Sequence, residues 1–380
     1  MANSGVYEQV GLSGGTPGRP NGRATLAGSA SVREDLVTVL FGACLIGGAM
    51  ADGWAHVNIV ETLEGFFTPW HGLLYAGFTA TAVWTFWLAY QRRGRTPMWW
   101  RHGWPAGYRL GAVGVLIFFA GGLGDMLWHE TLGVEVGLDA AFSPTHMLID
   151  VGATLLVTSP LRSWWATRAG GWRAVTGVAS MTLGAMAPTI LLTHSSAFIT
   201  RAPTMSYYPD VFERGQGGSQ LPAIAGVDAY LVTTLVLAIP LLLSHRRRAT
   251  PGAATAVVAG VALFSMVMFE FPAPQATAAL AAVGGAAVAD VILVRLDAVR
   301  GPEAAFRLPI AGAVFPALVW SGHLLGLQTT EGLGWSPEVW TGIVTLTAIL
   351  GALLGGLAAR PARYDEPDRQ VAGAAQVPAD

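Results

Sequence analysis

Arg109-Leu-Gly-Ala-Val-Gly-Val-Leu-Ile-Phe-Phe-Ala-Gly-Gly-Leu-Gly-Asp125-Met-Leu-Trp-His129 is an apolar run with no charge between its opening arginine and its closing Asp-x3-His. A bilayer core takes about 20 such residues as one helix. Comparable runs recur through the chain, at 36–57, 69–90, 144–165, 174–194, 222–244, 252–270, 276–296, 307–326 and 336–358. With 109–129 they make about ten expected spans and an all-α, polytopic membrane protein in the lipid bilayer. Composition agrees: 52% of residues are hydrophobic and 12% charged, where soluble domains carry about 25% charged residues.

The charges orient the chain. There are 22 basic residues, every one an arginine, and only Arg201 and Arg214 fall in loops on the second side of the expected topology. The arginine-rich side is cytoplasmic by the positive-inside rule, which predicts a multi-pass plasma-membrane protein with both termini inside. Residues 1–35, rich in Gly, Ser, Ala and Arg, have no apolar stretch of signal-peptide type; they read as a disordered cytoplasmic tail, and 359–380 as a second. Between them, 36–165 and 166–358 divide at the end of the fourth span. A net charge of −2 gives no basic excess to neutralise phosphates, so no nucleic-acid partner is expected. Cys44, the one cysteine, rules out an intramolecular disulfide, a cysteine-rich zinc site and an iron–sulfur cluster. Its apolar surroundings make it a small core residue.

The stretch that ends at His129 is written twice. Asp52-Gly-Trp-Ala-His56 is followed by Phe67-Thr-Pro-Trp-His71, and Asp125-Met-Leu-Trp-His129 by Phe142-Ser-Pro-Thr-His146. Positions i and i+4 share a helix face, so each Asp points with its His. Proline suits the first turn of a helix, which sets His71 and His146 one turn into the next span. The first four spans thus read as two repeated helical hairpins in the same orientation, a duplicated region over 36–165. Each would bring one carboxylate and two imidazoles to the outer surface.

Ionisable groups within spans are costly and mark function. A carboxylate with imidazoles and no thiolate suits copper, zinc or non-haem iron. Asp125, His129 and His146 form the first candidate set and Asp52, His56 and His71 the second. Glu130 follows His129 directly. Asp150, one turn beyond His146, is placed to orient an imidazole, and Tyr75 holds the matching position in the first copy. His194 and His323 are candidates to complete or bridge the sets, while His102 and His245 read as residues of the cytoplasmic interface. Asp290 is expected to pair with Arg295. The competing reading of the motif is a polar clasp in which Asp and His satisfy each other.

The pattern of Asp-x3-His followed by Phe-Thr/Ser-Pro-x-His resembles the C subunit of the copper membrane monooxygenases, which act on methane, ammonia and short hydrocarbons. Trp128 before His129 fits that family's Asp-x-x-Trp-His form, and Ala55 stands there in the first copy. The likeness covers two stretches of about twenty residues. It implies copper as the cofactor, Asp125, His129 and His146 as ligands with Asp52, His56 and His71 as a second set, a small apolar substrate, and partner subunits or a homo-oligomer. A metal or solute transporter and a haem-binding membrane protein are the other classes the residues admit.

Overall fold

The structure, a computed structural model, describes residues 28–59, 65–167, 170–207, 220–246, 248–301, 304 and 306–359. Among them it is all-helical: α1 (Val32–Asn58), α2 (Pro69–Tyr90), α3 (Trp99–His102), α4 (Arg109–Leu132), α5 (Leu138–Phe142), α6 (Pro144–Val157), α7 (Ser159–Thr167), α8 (Trp172–Met186), α9 (Leu221–His245), α10 (Ala253–Met268), α11 (Ala273–Arg300), α12 (Arg307–Thr330) and α13 (Pro337–Ala359). Seven of these, α1, α2, α4, α9, α11, α12 and α13, are long and apolar enough to cross a membrane. The other three expected spans are shorter or broken. The fourth is interrupted at Thr158 between α6 and α7, the fifth leaves α-helix at Met186 for 3-10 turns, and the seventh is the 16-residue α10.

The long helices are apolar all round. Val83, Leu116 and Leu353 are more than 60% exposed in mid-helix, while opposite faces are packed. A helix apolar on every side belongs in a large core or a membrane, and such outward faces suit lipid.

α1 begins at Val32, inside the expected tail. Ser31 and Glu34 form a reciprocal capping box there, a signal visible in Ser-x-x-Glu. Close pairs α1/α2 and α4/α6 build one part of the bundle, and α11, α12 and α13 pack in series in the other. α10 joins the two parts through α1, α8, α9 and α11.

Glycines set the closeness of both N-terminal pairs. A Cβ on Gly77 would lie 2.6 Å from the Leu45 backbone, and one on Gly48 would lie 2.7 Å from the Leu74 backbone. In the second pair, Gly152 meets the Phe118 backbone at 2.5 Å and Gly121 the Ile149 backbone at 2.9 Å. Each contact sits at the same offset from its Asp or His as its counterpart, so the two pairs cross in one register.

At the end of the bundle away from the Asp/His motifs, Asp35 is fully buried. It accepts from Tyr108 Oη (2.8 Å) and Ser163 Oγ (3.0 Å), tying α1 to the start of α4 and to α7. Three expectations change here. His245 is buried rather than interfacial, beneath Arg307, which donates to its carbonyl and pairs with Asp297. Asp290 accepts from the Ala254 and Thr255 amides and the Thr255 hydroxyl, capping α10 from a neighbouring helix in place of pairing with Arg295. Cys44 is exposed on α1, because the close face of that helix is taken by glycines and larger apolar residues.

Candidate metal centre

Both Asp-x3-His elements sit on the last turns of their helices, α1 and α4, and both following histidines on the first turn of the next helix, α2 and α6. Thr68 caps α2 with its side chain, accepting from the His71 amide (3.1 Å), and Pro69 opens the first turn. The Thr68 hydroxyl is also 2.9 Å from His71 Nδ1, which turns Nε2 toward Asp52 Oδ1, 3.8 Å away. In the second copy the cap is different. Ser143 bonds with Thr145 instead, and His146 Nδ1 donates to the Ala140 carbonyl at the end of α5 (2.7 Å). A carbonyl accepts only, so Nδ1 carries a proton and Nε2 faces inward, 2.9 Å from Asp125 Oδ1. Such a carbonyl on the far nitrogen is how proteins fix a metal-binding imidazole.

His129 Nε2 is 3.3 Å from Asp125 Oδ1 and 3.3 Å from Glu135 Oε2, which also lies 4.0 Å from His146 Nε2. Glu135 was not among the expected residues. It stands in Gly133-Val-Glu-Val-Gly137, where both glycines take positive φ (93° and 59°) and fold the loop back over the end of α4. Paired glycines around a lone carboxylate were the available signal.

Within each set, Asp125/His129/Glu135/His146 and Asp52/His56/His71, one donor atom per residue lies within 4.8 Å of all the others. Bonds of about 2.0–2.2 Å hold donors on opposite sides of an ion no more than about 4.4 Å apart, so a few tenths of an ångström of closure suffices. The donor atoms also need partners. Asp52 Oδ1, Asp125 Oδ1, both nitrogens of His129, His56 Nδ1 and both oxygens of Glu135 are buried without a hydrogen bond. Buried polar atoms are nearly always paired, and these unpaired ones are gathered at one point. The ion pairs of Asp52, Asp125 and Glu135 among the described residues are all with histidines.

Aromatic rings pack the site from the α1–α2 side. Phe66 stacks on His71 (5.0 Å between centroids) and contacts Tyr75 and His129. Tyr75 Oη donates to Asp125 Oδ2 (3.4 Å), so the partner expected within the first copy serves the second. Asp52, His56, Asp125, His146 and Asp150 open on a cavity of about 480 Å³ whose remaining wall is mainly apolar, including Leu45, Ile46, Leu74, Phe118, Ile149, Ala153, Ile190 and Met268.

Other expected residues fall elsewhere. Glu130 accepts from the Phe66 amide (3.4 Å) and so holds the α1–α2 loop. Asp150 lines the cavity with one oxygen unpaired, and no imidazole bonds to it. His194 is exposed in the 3-10 segment Thr193–Ser195, on the cavity wall beside Phe142. His323 is wholly buried in α12 and bonded to the Tyr230 hydroxyl (2.8 Å), among Trp320 and Phe198. Residues 1–27 and 360–380 of the expected tails, and 60–64 and 208–219 between helices, lie outside the described residues. No family model, curated protein or solved structure matches the chain.

Proposed function

We propose that this chain is an integral membrane metalloprotein, an oxidoreductase of monooxygenase type or a subunit of one, acting on a small apolar substrate. One observation carries the reading: a cluster of carboxylates and imidazoles with unpaired donor atoms forms one end of a mainly apolar cavity. Transport or hydrolysis of a polar solute needs polar walls; an apolar wall beside metal-binding donors suits a substrate that arrives from lipid.

The residues divide the work. Asp125, His129 and His146, with Asp52, His56 and His71, hold metal, and Thr68 and the Ala140 carbonyl aim two of the imidazoles. Tyr75 steadies Asp125 through its second oxygen, leaving Oδ1 for the ion. Leu45, Ile46, Phe118 and Ile149 bind the apolar substrate and exclude water. Copper or non-haem iron held by these residues would supply binding and reduction of dioxygen, with electrons from a reductant outside the chain. Copper follows from the resemblance to the copper monooxygenase C subunit; Glu135 adds a third carboxylate and brings iron level with it. Zinc binds such donors but carries no electrons.

The matched register of α1/α2 and α4/α6 supports an origin by duplication, and the arginine distribution supports a plasma-membrane protein with both termini in the cytoplasm. A haem reading is the weaker one, since axial imidazoles leave the carboxylates of Asp52 and Asp125 without a role. A permease remains the second reading, on a specific feature: the segment after α8 runs through 3-10 turns at Ala187–Thr189 and Thr193–Ser195 beside the cavity. Transporters break helices in this way at their sites.

The test is dioxygen uptake by nanodisc-embedded protein loaded with copper or iron, given reductant and a short alkane or alcohol. Substrate-dependent uptake that disappears in Asp125→Ala/His129→Ala is the expected result. Absence of bound metal in folded protein would sink the reading, and uptake of radiolabelled copper into sealed vesicles without dioxygen consumption would move it to the permease.

A further inference from the structure

The two copies of the motif were expected as two sites. The rings of the two sets lie together. His129 of the second copy is 5.3 Å from His71 and 6.1 Å from His56 of the first, and 6.1 Å from His146 of its own. It is therefore at least as near the other set as its own partner. His56 and His71 are 5.6 Å apart, so four imidazoles form one contiguous group. Asp52 lies within electrostatic reach of Asp125, His129 and His146. Glu135 spans the sets: its carboxylate faces His129 and His146, and its backbone lies against His56.

We infer that the two sets form a single dinuclear centre, one ion on Asp125, His129 and His146 and the other on Asp52, His56 and His71, with Glu135 placed between them. The inference rests on the metal reading above and deepens it. Two arguments separate it from one ion with a spare clasp. Each set independently brings its donor atoms within 4.8 Å, so each can chelate without drawing on the other. Unpaired buried donors also occur in both sets: Asp52 Oδ1 and His56 Nδ1 in the first, Asp125 Oδ1 and His129 Nε2 in the second. One ion in the second set leaves Asp52 Oδ1 and His56 Nδ1 buried without a hydrogen bond, and among the described residues only the His71 imidazole stands within ion-pair distance of Asp52. Buried polar atoms are nearly always paired; a second divalent ion on Asp52, His56 and His71 pairs them. Ions in paired sites of this kind stand about 3.5–4 Å apart, which the ring spacings accommodate.

The consequence is magnetic as well as chemical. Metal-free protein in nanodiscs is titrated with copper(II) alone, followed by inductively coupled plasma analysis, electron paramagnetic resonance and X-ray absorption. The expected result is two equivalents per chain, an integrated spin below two per chain or a half-field transition, and a metal–metal scattering vector. Asp52→Asn/His71→Gln should bind one equivalent and give an ordinary mononuclear signal with no half-field line. One equivalent in the wild type, or two whose spins integrate fully with no metal–metal vector, overturns the dinuclear centre and leaves the metal reading standing. No copper bound overturns both. The wild-type stoichiometry and scattering decide the matter even where the double variant fails to fold.

Discussion

His129 has neither ring nitrogen hydrogen-bonded, though it is 4% exposed. An imidazole so placed gives up two hydrogen bonds to water, about 1–3 kcal/mol for each unpaired group. Its Nε2 has the Asp125 and Glu135 carboxylates beside it, each at 3.3 Å, and a metal bond there would satisfy all three groups at once. Tyr75 offers a gentler probe of the same site than removal of a ligand. Its hydroxyl holds Asp125 Oδ2 from the neighbouring copy, and outer partners of metal ligands are worth about 10–100-fold in affinity. Tyr75→Phe should weaken metal binding within that range, read by chelator competition, with unfolding little altered. Unchanged affinity would remove Tyr75 from the centre. Glu130 and Glu135 show how near neighbours in sequence separate in space. One secures the Phe66 amide, while the other, released by Gly133 and turned by Gly137, returns to the imidazoles.

Between elements, the decisive contacts are backbone against backbone. α1 and α2 approach at Gly48 and Gly77, and α4 and α6 at Gly121 and Gly152. Without an aqueous hydrophobic effect between helices, such close packing of small residues is the main attraction in lipid. Gly77→Ala places a methyl group against the Leu45 backbone, which cannot move aside as a flexible side chain would. It should destabilise the protein by about 1–3 kcal/mol and shift Asp52 relative to His71, lowering thermal stability and metal occupancy together. Gly72, also in α2, has nothing within 4 Å of an added Cβ. Gly72→Ala should therefore be neutral or slightly stabilising, since alanine is the better helix former by about 1 kcal/mol. Equal melting temperatures for the two variants would show that the glycine contact does not set the register.

Across the whole molecule, the centre lies where two helix pairs meet, and the cavity lies between those pairs and the α8–α10 region. Narrowing the cavity away from the ligands should separate binding of metal from binding of substrate. Ala153→Leu should leave metal content unchanged and disfavour larger apolar substrates over smaller ones by about 10–200-fold in kcat/KM. Loss of metal in that variant would mean that cavity and centre are one packed unit. Reporter fusions test the orientation: cytoplasmic-type signals are expected from tags at both termini, and a split result would exclude the topology drawn from the arginines. The all-helical class, the positions of the seven long apolar helices and six of the seven residues in the two donor sets were legible in the sequence, because an apolar run of bilayer length and an Asp-x3-His at its end are local patterns. Ser31-x-x-Glu34 and the glycines at fixed offsets from each motif were equally local, though easily passed over among 48 glycines. Tertiary structure alone decided that His129 sits between the two copies, that Tyr75 serves Asp125, that Glu135 joins and Asp150 and His323 do not. Periodicity assigns a residue to a helix face; which faces meet, and across which copy, depends on how closely the backbones of separate helices approach.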